Sequence, residues 1–155
     1  MKKKMKKKIT LLLLAFFLIS LISCETTESL SCPYVLAKPH VELGENENMH
    51  YFAGMYFSLF NDSDKTIDSF TISFLLYDSD GNNPFIGSNC IVSRCDCQLF
   101  PQRMENFIIS LDSFISLVPE EPYITDFIYI REIRYSDGTS WKDPYGMYCV
   151  RESHE

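Results

Sequence analysis

The most reactive groups in this chain are its thiols: six cysteines, three of them crowded into "NCIVSRCDC" at residues 89–97. Cys90, Cys95 and Cys97 have a C-x4-C-x-C spacing, and a thiolate cluster of that kind would take zinc or copper. The match is poor. Structural zinc sites favour C-x2–4-C knuckles with two further ligands, and iron–sulfur spacings differ again. His40, His50 and His154 are all distant in sequence. The competing chemistry is oxidation. In an oxidising compartment Cys32, Cys90, Cys95, Cys97 and Cys149 would form disulfides, with one thiol left over because their number is odd. Cys32 with Cys149 would staple the two ends of the chain. Cys95 and Cys97 share a strand face and are badly placed to bridge each other. The disulfide reading outweighs the metal one, and no metal or cofactor is expected.

Carboxylates come second. Asp78-Ser79-Asp80-Gly81-Asn82-Asn83 puts oxygen atoms at alternating positions, as calcium loops do, but lacks the closing bidentate glutamate. The same letters build a tight turn with no ion, and that is the expected role. Catalytic signatures are missing: there is no G-x-S-x-G, H-E-x-x-H or G-x-x-x-x-G-K, and the six glycines never fall in G-x-G spacing. A pair of carboxylates meeting in a cleft is the one hydrolytic arrangement left open by spacing alone. No catalytic residue is assigned, and the chain is expected not to be an enzyme.

A candidate interface is carried by the lone Trp141 and by Arg134. If Asp137-Gly138 is a two-residue turn, Arg134 lies opposite Trp141, while Tyr129, Ile133 and Tyr135 point the other way. With those three in the core, Trp141 stands outside under the guanidinium, a cation–π pair worth about 0.5–1 kcal/mol. Such a pair is hot-spot material for a protein partner. A bulge in the turn would instead rotate Trp141 inward to close the end of the domain, and burial of a single large aromatic favours that second geometry.

The elements that must hold these residues are strands. Aromatic and β-branched residues recur in short runs without sustained helical periodicity. In "FTISFLLYDSDGN", Phe70, Ile72, Phe74 and Leu76 share one face, with Thr71 and Ser73 on the other. "MHYFAGMYFSLF" (49–60) is apolar on both faces, as a central strand would be. "MENFIISL" alternates, with Phe107, Ile109 and Leu111 on one side. The spacing predicts strands near 34–36, 49–60, 66–78, 85–92, 104–112, 124–136 and 139–149, with "SLVPEEPY" as a loop or one helical turn. The expected fold is all-β: an immunoglobulin-like antiparallel β-sandwich of about seven strands.

"MKKKMKKKIT" opens the chain with six lysines and no acid, and an apolar run then extends from Ile9 to Ile22. Fourteen helical residues reach about 21 Å, short of the roughly 30 Å of a hydrocarbon core. A basic stretch followed by a short apolar one is the secretory signal pattern. It closes on Leu21-Ile22-Ser23-Cys24, which resembles the lipobox of bacterial lipoproteins. The resemblance implies a cleaved signal-peptide helix (1–23), lipidation at Cys24, and a membrane contact made by acyl chains, two of which anchor stably where one does not. "ETTESLS" then reads as a tether (24–31), ahead of a sandwich domain (32–151) and a short tail (152–155). The implied location is the cell membrane or outer membrane, on a periplasmic or surface face.

Losing residues 1–23 removes six lysines and no acid, so the formal net charge moves from −7 to −13. The remaining basic residues are scattered singly and form no stripe that would neutralise phosphates, so nucleic acid is not an expected partner.

A second resemblance rests on "YFSLFNDSDKTIDSFTISFLLYDSDG" and "REIRYSDGTSWKDPYG". These are similar to the small immunoglobulin-like domains of bacterial lipoproteins akin to the FxLYD type, in which strands end in comparable polar turns. The resemblance implies a non-catalytic binding or accessory module at the cell envelope, facing an unknown protein or envelope partner. The contrasting possibility is a metal- or thiol-handling envelope protein using Cys90, Cys95 and Cys97.

Overall fold

A computed structural model of the chain describes residues 32–44, 53–115 and 119–148. The signal segment, Cys24, the tether, Cys149 and the tail lie outside them. Seven strands run in the order β1 (Tyr34–Leu43), β2 (Ala53–Asn61), β3 (Ile67–Tyr77), β4 (Cys90–Leu99), β5 (Met104–Ser110), β6 (Ile124–Tyr135) and β7 (Ser140–Lys142). They form two antiparallel sheets, a three-stranded one ordered β1-β2-β5 and a four-stranded one ordered β4-β3-β6-β7. Because β2 and β3 are consecutive yet lie in different sheets, the chain crosses over at "NDSDK", and β5 returns to pair with β2. This is the crossed connectivity of an immunoglobulin-like sandwich, so the expected fold class is the observed one. No helix among the described residues is long and apolar enough to cross a membrane.

Alternation decides which side chains meet between the sheets. Met55, Phe57 and Leu59 from β2 face Phe70, Ile72, Phe74 and Leu76 from β3, all buried with Ile130 and Ile133 of β6. Phe70 meets the Phe107 ring edge-on at 5.0 Å, and Phe107 stacks on Phe57 at 5.6 Å. The first of these contacts spans the two sheets and the second links neighbouring strands of one sheet; both add to the area they bury. β2 is the central strand of its sheet, which explains its two apolar faces: Tyr56 and Phe60 turn outward beside the exposed Met104 and Ile108 of β5.

Three boundaries differ from expectation. The fourth strand is the cysteine segment itself rather than residues 85–92, because Ile91, Ser93, Cys95, Cys97 and Leu99 alternate inward along β3. β1 runs on to Leu43 through a bulge between Ala37 and His40, with Lys38 at φ 53°. The seventh strand stops at Lys142. There the buried Asp143 turns the chain by accepting hydrogen bonds from the amides of Met147 (2.9 Å) and Tyr148 (2.8 Å), and Pro144 has no amide to offer a ladder.

Candidate functional site

The outer face of the four-stranded sheet carries an open cleft of about 470 Å³, lined among others by Ser69, Arg94, Glu132 and Arg134. Strand register builds it. Ser69 lies between Asp96 of β4 and Arg134 of β6, and Arg134 lies opposite Ser140 of β7. One row along, Thr71 lies between Arg94 and Glu132, and Glu132 lies opposite Lys142. Charges therefore alternate along and across the strands, an arrangement in which opposite-charge neighbours stabilise by a few tenths of a kcal/mol to about 1 kcal/mol each. Arg94 pairs with Asp96 at 3.0 Å and Arg134 with Glu132 at 3.2 Å. The hydroxyl of the buried Ser69 accepts a hydrogen bond from Arg94 Nη2 at 3.3 Å.

Those contacts decide what chemistry the cleft can do. A serine nucleophile needs a base to take its proton, whereas Ser69 receives a proton donor from a permanent cation. Neither histidine nor cysteine lines the cleft. His40 is on the other sheet, where Lys38 O (2.9 Å) and Glu42 (3.0 Å) hold its ring over Tyr56. Its pKa is raised, first by the Lys38 carbonyl and then, against some desolvation, by Glu42. The cleft is suited to recognition through hydrogen bonds and charge.

The hairpin at its rim corrects the two-residue turn. Tyr135 N donates to Thr139 O and Gly138 N to Tyr135 O, each at 3.0 Å, so Ser136, Asp137 and Gly138 form a three-residue loop with Gly138 at φ 83°. That is a type I turn closed by a left-handed glycine. The extra residue moves the register by one: Trp141 lies opposite Ile133, and Arg134 opposite Ser140. Trp141 thus packs inward, edge-on to Tyr34 at 5.7 Å and to Tyr148 at 6.2 Å. Arg134 points out into the cleft, and the two do not form a pair. Asp137 accepts hydrogen bonds from Thr139 Oγ1 (2.6 Å) and Thr139 N (2.9 Å) and meets Lys65 Nζ at 3.2 Å. These contacts hold its carboxyl below the usual range, Thr139 contributing most.

The thiols separate as well. Alternation puts Cys90 outside, against Ser73 Oγ at 3.4 Å, while Cys95 and Cys97 face the core. The pleat of one strand therefore divides the C-x4-C-x-C set, and Cys90, Cys95 and Cys97 are thiols rather than disulfide partners of one another. Among the described residues no three metal-ligating side chains converge. Burial pushes both inward thiols up to about 11, the neighbouring Cys97 adding to the effect at Cys95. Cys32 packs against the core and donates to Tyr34 O at 3.3 Å, and Cys149 lies outside the described residues. At the Asp78 turn, one carboxylate oxygen accepts the amides of Asp80 (3.0 Å) and Asn82 (2.7 Å). The carboxylate is thereby used to close the loop, which is the turn geometry expected of it.

Three polar residues organise the fold without belonging to a chemical motif, though Asn61 opens the polar Asn61-Asp62-Ser63 turn on which the second resemblance partly rests. Asn61, wholly buried, donates to Leu99 O and Lys65 O and accepts from Ser63 N and Oγ. Ile130 N donates to the buried Tyr34 hydroxyl at 3.0 Å, and Asp143 anchors the C-terminal turn. The available signal was a polar residue where strand alternation demands an inward side chain, as at Asn61.

No protein-family model matches the chain, and no curated protein does. Among solved structures it resembles a hypothetical protein from Peptoclostridium difficile 630, with 13% identity over 73% of this chain and 87% of that one, at a TM-score of 0.53. The likeness is one of fold: two chains with little sequence in common close the same kind of sandwich.

Proposed function

We propose that this chain is a bacterial envelope lipoprotein, anchored through lipid on Cys24, whose sandwich of the FxLYD type is a non-catalytic binding module. The observation that carries the binding role is the cleft over Ser69. Its arginines are held by carboxylates two residues away on their own strands, and Arg94 also by Ser69 of the neighbouring strand. Its serine is not activated, and it opens to solvent on a rigid sheet, the kind of support on which a recognition site keeps its geometry. The partner is a protein or other envelope component that meets this face. The anchor is supported by the basic and apolar leader and the Leu21-Ile22-Ser23-Cys24 motif. A disulfide between Cys32 and Cys149 is supported by Trp141, whose ring contacts Tyr34 and Tyr148, each close in sequence to one of the two cysteines. The separation of Cys90 from Cys95 and Cys97 argues against a thiolate metal centre.

Two measurements test this reading. The intact mass of detergent-extracted protein should begin at Cys24 and include acyl chains; a mass retaining residues 1–23 refutes the anchor. A photo-crosslinking amino acid at Ser140, in the cleft, should give a discrete adduct in cells, and one at Asn82, in the β3–β4 loop, should not. Absence of any Ser140 adduct refutes binding at this face.

A further inference from the structure

We infer that Arg94 and Arg134 form, with Ser69 between them, a subsite for a carboxylate presented by a peptide, resting on the binding-module reading of the same cleft. The two arginines project from β4 and β6, which flank β3. Two strand spacings of ~4.8 Å separate them across the sheet. Arg134 lies opposite Ser69, and Arg94 lies one row along, opposite Thr71, from where its Nη2 reaches diagonally back to the Ser69 hydroxyl at 3.3 Å. Neither guanidinium is used up by its ion pair. Arg134 spends its Nε on Glu132 (3.2 Å), and its two terminal nitrogens have no partner among the described residues. Arg94 spends Nε and Nη2 on Asp96 (3.1 and 3.0 Å) and Nη2 on Ser69 (3.3 Å), leaving Nη1. Two guanidinium groups with open N–H donors on either side of one hydroxyl suit a planar oxyanion, which accepts paired hydrogen bonds from such forks.

The surroundings select among oxyanions. Asp68, Asp96 and Glu132 stand in or beside the cleft, and the chain as a whole is acidic. A dianionic phosphate or a polyanion would meet those carboxylates as well as the arginines. A single carboxylate asks for only one charge to be balanced, and Asp68 and Glu132 can then receive a cationic or N–H-bearing neighbour on the same peptide. The mixed charge of the cleft thus matches a peptide of mixed polarity, with the acidic group seated at Ser69.

The test uses the mature lipidated chain in a neutral detergent, followed by nitrogen-15 NMR. The probes are a blocked Ala-Glu-Ala peptide, its Ala-Gln-Ala counterpart, an acetylated tri-alanine with a free C-terminus, and inorganic phosphate. The glutamate peptide should shift the resonances of Ser69, Arg94, Arg134 and Thr139 saturably, and the glutamine peptide should not. Arg134→Gln and Arg94→Gln, both at exposed positions, should each weaken binding by about tenfold or more. Arg134→Lys should recover only part, because it keeps the charge and loses the fork. Binding by tri-alanine in place of the glutamate peptide assigns the carboxylate to a chain terminus and sustains the inference. Equal binding of the glutamine peptide, saturation by phosphate alone, or indifference to both arginine substitutions overturns it. If these fail while the Ser140 crosslink persists, the cleft binds by other chemistry. If the crosslink fails too, the binding-module reading fails with it.

Discussion

Removal of the Asn61 side chain should cost the domain more than any surface motif would suggest. Asn61 is fully buried at the end of β2, where it ties three segments together: Nδ2 donates to Lys65 O at 2.8 Å and to Leu99 O at 3.0 Å, and Oδ1 accepts from Ser63 N at 3.0 Å and Ser63 Oγ at 2.6 Å. Once Asn61 Oδ1 is gone, the Ser63 hydroxyl proton can turn to Lys65 O, which lies 3.1 Å from Ser63 Oγ. In Asn61→Ala the losses therefore fall on Leu99 O, which is buried and left without that donor, and on Ser63 N in the turn. A buried orphan costs about 1–3 kcal/mol and a partly hydrated one less, so the expected loss is about 2–4 kcal/mol. That is a large share of the roughly 5–15 kcal/mol by which such domains are stable. Asn61→Asp should be worse at neutral pH despite identical shape, since an oxygen replaces the donor and faces two carbonyl oxygens. The introduced carboxyl would have its folded-state pKa raised, so the unfolded state releases its proton first as pH rises. The deficit should accordingly be full above the raised folded-state pKa and narrow as pH falls from there to about 4, the unfolded value. Urea unfolding followed by Trp141 fluorescence and circular dichroism measures both. A loss below about 1 kcal/mol for Asn61→Ala, or an aspartate variant as stable as the parent at pH 7, would refute this account of the turn.

Three other outcomes are expected. Cys95 and Cys97, pushed up to about 11, should be alkylated at pH 8 about two orders of magnitude more slowly in the native state than in urea. Because the folded state keeps protons that the unfolded state gives up, stability should also decline from about pH 9 towards 11, and less steeply in Cys95→Ser; a flat alkaline limb would contradict this. Gly138→Ala should cost about 1 kcal/mol, since only its positive φ opposes a side chain there, whereas Gly146→Ala adds a 2.9 Å approach to the Tyr129 ring and should cost clearly more. Equal thermal shifts for the two would count against the placement of Tyr129. Tyr34→Phe should lose about 1–3 kcal/mol, measured by urea unfolding, because Ile130 N is then left buried without its acceptor.

What could be read from the sequence was whatever alternation fixes. Phe70, Ile72, Phe74 and Leu76 announce an inward face because each step of two returns to the same side of the pleat. The same logic fails at the cysteine segment, where Ser93, Cys95 and Cys97 occupy inward positions with small, weakly polar side chains that give no apolar rhythm, so the apolar pattern points to residues 85–92 rather than to β4. At the hairpin alternation alone leaves the choice open, since Asp137-Gly138 suits both a two-residue turn and the second half of a three-residue one; the burial of a lone indole favours the inward Trp141 that is observed. The ladder itself, Ile133 against Trp141, distinguishes the two turns. The cleft was harder still. Arg134 stands out in the sequence only as a neighbour of Trp141, and Ser69 and Arg94 not at all; the three become a site because β4 and β6 lie on either side of β3.

One residue of loop length thus controls two properties at once. With Ser136 inside the turn, Trp141 shares its face with Ile133 and closes the core against Tyr34, and Arg134 shares its face with Ser140 and enters the cleft. A slip of one position would exchange those faces, burying a guanidinium and exposing an indole. The rim is held against such a slip by Lys65, which bonds both Asp137 and Thr139 from the β2–β3 turn, and by Ser136 N, which donates to Thr66 O. The outward residues can therefore vary at little cost while the register is fixed from behind. Substitutions at Arg94 and Arg134 should change what the cleft binds while shifting the unfolding midpoint only by the small amount that exposed ion pairs contribute, whereas those at Trp141 or Gly138 should move both substantially.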